Sequence, residues 1–228
     1  KDKLKECFSR DNNSSANCYG ALPYVKKNLE KIDFNDASDM KDMIDIVLRA
    51  LNLDESNIKF AEFLVSQGFD INYKLSGDNC LLLEYMKDSP KLSVIKQLIE
   101  LGADVYSETM DGDNMLSVLS GKEEELAVSM VEAYDLTQFD KTDKFGATPL
   151  MYAVMRGYVK LVKLLIEQGF DVNGVGCAPM DEEDLDVETD GVSPLALAIQ
   201  FGDVEIVQML LDAGADEMLY DAEGNPPI

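Results

Sequence analysis

Seven carboxylates crowd into ten residues near the C-terminal end: Asp181, Glu182, Glu183, Asp184, Asp186, Glu188 and Asp190. Hard cations take carboxylate oxygens, so calcium is the first chemistry such a cluster suggests. An EF-hand loop with Asp186, Glu188 and Asp190 as its first three ligands puts its obligatory glycine at Gly191. It then requires a glutamate where Leu197 stands, so the EF-hand pattern fails. Three readings stay open for the segment: a looser cation loop, an acidic docking finger, or a solvated acidic loop. No metal-ligand set is assigned.

Other chemistries fare worse. The chain has no histidine, which removes Ser-His and Cys-His nucleophile activation together with most transition-metal sites. Its four cysteines, Cys7, Cys18, Cys80 and Cys177, show no CxxC spacing, against a structural zinc site. Cys177 has acidic neighbours, which raise a thiol pKa instead of activating it. Gly174-Val175-Gly176 lacks the rest of a phosphate-binding glycine loop, and acids follow it. Carboxylate pairs are plentiful, yet a glycosidase needs two of them facing across a cleft. No catalytic residue is therefore expected, no cofactor, and no enzyme.

Charge points to partners. Of 44 acids and 20 bases, residues 174–228 hold 14 acids and no lysine or arginine, so 14 of the 24 excess negative charges lie there. Such a surface repels nucleic-acid phosphates and anionic lipid and would attract a basic protein or cations, with plain solubility as the other reading. The longest apolar runs, such as Cys80 to Leu83, are far too short to span a bilayer. Neither nucleic acid nor membrane is expected as a partner.

The elements that position these residues are legible from local signals. In FGATPLMYAVMRG, Phe145 to Gly157, Thr148 is an N-cap, Pro149 the first helical residue and Gly157 a left-handed stop. The helix is about two turns long. Tyr158 to Gly169 continues as a longer amphipathic helix, with Leu161, Val162, Leu164 and Leu165 on one side and Lys160, Lys163 and Glu167 on the other. The pattern recurs at DGVSPLALAIQFGDVEIVQMLLDAGAD, with Ser193 and Pro194 as start and Gly202 and Gly214 as stops. Asn79 and Asn114 mark weaker starts upstream, and Glu223 to Ile228 begins a further one. Long-helix ends fall at Gly68, Gly102, Gly169 and Gly214, whereas the exit VEAYDLTQFD has no such glycine. A hairpin of this size cannot bury its own apolar face and must stack on another.

TPLMYA (148 to 153), SPLALA (193 to 198) and the endings GADV, GFDIN and GFDVN resemble the signature of the ankyrin repeat family. The resemblance implies an all-α solenoid of stacked helix-turn-helix units with projecting hairpin loops. Met151 and Ala196 stand where the family has a histidine, so its usual polar link between repeats is absent here. Residues 1–33 are expected as capping helices. Repeats are expected at 34–75 (degenerate), 76–109, 110–141, 142–174 and 175–220, the last carrying the acidic insertion near 174–188, with a partial one at 221–228. In the first repeat, Met40 to Leu51 and Ser56 to Gln67 are the expected helices.

For function the resemblance implies a non-catalytic protein-binding module that uses its concave short-helix and hairpin face. Carried over residue by residue, this places partner contacts at Lys144, Phe145, Tyr152, Met155 and Arg156, at Thr189, Val192, Leu197, Gln200 and Phe201, and at Asp78, Leu83, Met86 and Lys87, with packing against the adjacent repeat as the other reading for Leu83, Leu197 and Tyr152. The partner is another protein, basic if the acidic C-terminal part steers it, and the chain is expected to be a monomer. An acidic inhibitor or immunity-type protein for a basic enzyme, and a calcium-responsive module, are the alternative readings. Cys7 and Cys18 flank a polar loop that a disulfide could close in an exported protein and that would carry plain thiols in a reducing cytosol. With Lys1 at the start and no methionine, a removed initiator or leader is expected, and the compartment leans to exported or periplasmic over cytoplasmic.

Overall fold

The computed structural model describes residues 32–74, 79–88, 90–110, 112–120, 123–143, 146–176 and 191–219. The expected capping helices before residue 32, the Cys7–Cys18 pair and the partial repeat at 221–228 lie outside these residues. The fold is all-α: among the described residues there are only two isolated β-bridges, Glu108 with Asn114 and Gly176 with Val192. The chain forms two compact units, Lys1–Ser107 and Glu108–Ile228, each considered by itself.

The first unit contains α1 (Ala37–Leu53), a 3-10 turn Glu55–Asn57, α2 (Ile58–Ser66), α3 (Leu81–Lys87) and α4 (Leu92–Glu100). α1 runs longer than the expected Met40 to Leu51 because Asp36 caps it, accepting from the backbone N–H groups of Ser38 and Asp39. Asp54 then starts the 3-10 turn, accepting from Ser56 N–H at 2.7 Å. The side-chain and backbone hydrogen bonds from Ser56 hold the Asp54 carboxyl below its usual range. α3 corrects the expected start at Asn79. Cys80 is its N-cap, without a side-chain cap bond, and the Asn79 Oδ1 instead accepts from Lys87 Nζ at 3.2 Å. With that shift, successive short-helix caps at Cys80, Asn114 and Thr148 are each 34 residues apart, 80 to 114 and 114 to 148. Cys80 is fully buried.

The second unit contains α5 (Met115–Ser120), α6 (Glu124–Ala133), a 3-10 turn Thr137–Phe139, α7 (Pro149–Met155), α8 (Val159–Gln168), α9 (Pro194–Phe201) and α10 (Val204–Asp212). Asn114, Thr148 and Ser193 cap α5, α7 and α9 through their side-chain oxygens. Thr148 also donates its own N–H to the Met151 sulfur at 3.5 Å, closing a reciprocal cap at the position expected to have lost its polar link. Gly202 ends α9 with φ 73°, a left-handed value that a side chain would oppose. α7 packs against α5, α8 and α9, and α8 packs against α6 and α10, so each hairpin buries its apolar faces against its neighbours. The exit after α6 is irregular as expected: Tyr134 is extended, and Phe139 of the 3-10 turn is fully buried in place of a glycine stop.

The aspartate of each helix-exit motif makes the same turn. Asp70, Asp104, Asp171 and Asp216 each accept the backbone N–H two residues on, at 2.8 to 2.9 Å. The asparagine that follows in GFDIN and GFDVN joins one repeat to the next. Asn72 donates to Gly102 O and accepts from Asp104 N–H, each at 2.8 Å. Asn173 bonds Gly214 O and Asp216 N–H in the same way.

Candidate functional site

The hairpin loop before α7 is held by one aspartate. Asp143 exchanges backbone bonds with Ala147 and Gly146, and its Oδ1 accepts from Ala147 N–H at 3.0 Å. Its Oδ2 accepts from the Tyr152 hydroxyl at 2.7 Å. Burial, and then the Asp143 carboxylate, push the Tyr152 phenol well above its ordinary range, so this hydroxyl stays a donor. Tyr152 therefore locks the loop to the short helix. The sequence predicts a partner contact at this residue, yet its ring is half-buried and its polar end is engaged.

The next hairpin loop leans on this one. Gly176 and Val192 exchange both backbone hydrogen bonds, at 3.1 and 2.8 Å, so the long insertion departs and returns at a paired base. A Cβ on Gly176 would lie 1.7 Å from Gly146 O and 3.3 Å from the Met151 sulfur, so only glycine permits the approach. Val192, an expected contact, is half-buried at that base.

On the short helices the register decides exposure. Arg156, the C-cap of α7, and Phe201, the last residue of α9, occupy equivalent positions eight residues after the N-caps Thr148 and Ser193, and both are exposed. Phe201 keeps 55% of its surface. Gln200 is exposed beside it, and Met155 is half-buried. Three expected contacts are corrected: Leu83 (1%), Met86 (0%) and Leu197 (1%) are core residues whose helical faces turn inward, so they cannot anchor a partner. Lys87 is half-buried and already donates to Asn79. Asp78, Lys144, Phe145, Thr189 and the acidic residues Asp181 to Asp190 lie outside the described residues.

Among the described residues no group of three or more Cys, Asp or Glu is placed to hold a metal ion, and no helix is long and apolar enough to cross a membrane. Two linkages have little signal in the sequence. Glu124 of α6 accepts from Lys160 N–H at 2.7 Å and Leu161 N–H at 3.2 Å, capping α8 from the preceding repeat. Glu55 accepts from the Ser93 hydroxyl and pairs with Lys91 Nζ at 3.1 Å, at the start of α4. The Ser93 and Lys91 hydrogen bonds hold the Glu55 carboxyl below its usual range. The only sequence cue for either is a helix start without a capping residue of its own.

Stacked helical hairpins with paired loop bases, tied from one repeat to the next by Asn72 and Asn173, define a repeat scaffold. Residues 86–221, more than half of the chain, match the family model for ankyrin repeats (3 copies), and the chain belongs to the ankyrin repeat family. None of the curated proteins matches it. Ankyrin repeats generally mediate protein–protein interaction, and the family is typically non-enzymatic.

Proposed function

We propose that this chain is a non-catalytic module that binds one protein partner on the short-helix and hairpin face of its second unit. The observation that carries the reading is the equivalent exposure of Arg156 and Phe201 at the C-terminal ends of the neighbouring helices α7 and α9. Arginine and aromatic side chains are favoured anchors at protein interfaces, because they bury large areas at a low cost in ordering. Met155 and Gln200 flank them, and Tyr152 holds the loop beside them through Asp143. The 14 acids and absence of lysine or arginine in residues 174–228 supply long-range attraction to a basic partner.

The test is affinity capture from the source organism's lysate with three full-length baits. One is unchanged, one carries Arg156→Glu with Phe201→Ser, and one has residues 178–188 shortened, leaving the Gly176–Val192 base intact. The expected result is a basic protein held by the unchanged and loop-shortened chains and lost from the double variant, with association slowed by added salt. Equal capture by the double variant overturns the face. Loss with the shortened loop transfers recognition to the acidic insertion.

A further inference from the structure

The sequence holds a single Asn-Gly pair, Asn173-Gly174, and it falls on a residue that joins two repeats. Asn72 makes the same join and is followed by Tyr73. The difference is chemical. A main-chain amide nitrogen can attack the side-chain carbonyl carbon of the asparagine before it and close a cyclic imide; a following side chain crowds that approach, and glycine leaves it open. Among the described residues no hydrogen bond holds the Gly174 N–H.

Nothing in the backbone asks for glycine at 174. Its φ is not left-handed, and a Cβ there would meet Thr148 Cγ2 at 3.4 Å and Asp171 O at 3.6 Å, ordinary contact distances. Gly176 is the opposite case, with its tight approach to Gly146 O. The join itself governs access to the reaction. Asn173 Nδ2 is held on Gly214 O and its Oδ1 on the Asp216 N–H, so the side chain must leave both partners before its carbonyl carbon can turn to the Gly174 nitrogen. Asn173 is half-buried, which lets water reach it.

We infer that Asn173-Gly174 is a self-modifying site, which unties this join permanently once the hairpins part. The Gly174 nitrogen bonds to Asn173 Cγ as the Cγ–Nδ2 bond breaks, and the Gly174 amide proton leaves with the amino group as ammonia. Water then opens the imide. Cleavage of the new N–Cγ bond gives aspartate. Cleavage of the original bond between Gly174 N and the Asn173 carbonyl carbon gives an isoaspartyl linkage, which runs through Cγ and lengthens the main chain by a carbon. Aspartate keeps an acceptor for the Asp216 N–H, has no donor for Gly214 O, and adds negative charge to a chain already at −24. The isoaspartyl form draws Cγ into the main chain just before Gly176, whose fit against Gly146 leaves no slack. The site stands or falls without the partner face.

The experiment ages the full chain at neutral pH and physiological temperature, in buffer and in denaturing urea, and follows Asn173 and Asn72 by peptide mapping with mass spectrometry. Its companions are Gly174→Ala and Asn173→Asp. In urea Asn173 should convert well ahead of Asn72. In buffer its conversion should be about five- to thirtyfold slower, because two hydrogen bonds limit the open fraction. Gly174→Ala should slow conversion in urea at least about tenfold, about 1.4 kcal/mol of added barrier, with unchanged circular dichroism. The converted chain, separated by ion exchange, should melt with Asn173→Asp or below it. Equal rates in buffer and urea would mean that the join does not govern the reaction and would overturn the inference. So would an Asn173 that never converts in buffer, an Asn72 that keeps pace with it, a Gly174→Ala chain that converts equally fast, or a converted chain as stable as the fresh one.

Discussion

Asn173 and Gly214 are joined across two repeats: the Asn173 Nδ2 donates to Gly214 O at 3.2 Å, while its Oδ1 accepts from the Asp216 N–H at 2.8 Å. One side chain thereby satisfies a carbonyl and an amide at the exit of the following hairpin. Asn72 repeats the arrangement with Gly102 and Asp104 in the first unit, which makes the last residue of the GFDxN ending the connector between repeats.

Asn173→Ala should destabilise the second unit by about 1 to 2 kcal/mol, the cost of two lost hydrogen bonds at a half-buried site. Hydrogen exchange should quicken first at the Asp216 amide, which loses its acceptor. Asn173→Asp keeps the acceptor and loses the donor, so the Asp216 amide should remain protected while thermal stability still falls. Uniform exchange in both variants would show that the side chain does not join the repeats.

Glu124 caps α8 from outside its own hairpin, and Tyr158 at the N-cap position supplies no side-chain cap. Glu124→Ala should cost about 0.5 to 2 kcal/mol in urea unfolding, as loss of an N-cap does. Glu124→Gln retains an acceptor and should lose only the charge at the positive end of the helix, about 0.3 to 1 kcal/mol. Added salt should narrow the gap between Gln and wild type. An alanine variant as stable as wild type would mean that water replaces the cap.

Tyr152 adds a pH dependence at the alkaline end. Burial and the Asp143 carboxylate raise its phenol above the ordinary value of 10.0, so near that pH the folded chain keeps a proton that the unfolded chain releases. This contribution is full below the ordinary phenol range and is lost as pH rises through and beyond 10.0. Tyr152→Phe should cost about 1 kcal/mol at neutral pH by removing the bond to Asp143. It should also unfold with a shallower alkaline fall than wild type. Parallel alkaline curves for the two chains would remove Tyr152 as the group responsible.

Local chemistry makes much of this protein readable before any contact is known. Thr148-Pro149 and Ser193-Pro194 start helices, and Gly157, Gly169, Gly202 and Gly214 end them, because caps, a fixed proline φ and left-handed glycines act within a few residues. The repeat spacing then requires the hairpins to stack, since none can bury its own face. Tertiary packing decides which apolar residues meet a neighbour. Leu83, Met86 and Leu197 have the spacing of surface anchors and lie in the core, while Val207, at the position that is buried in every earlier repeat, is left half-exposed. A helical period gives a face, not the identity of what covers it. For the same reason Asn79 yields the cap position to Cys80, and Glu124 finds its helix 36 residues away at Lys160. Bonds across that separation depend on how hairpins lie against each other, and no stretch of a few residues encodes this.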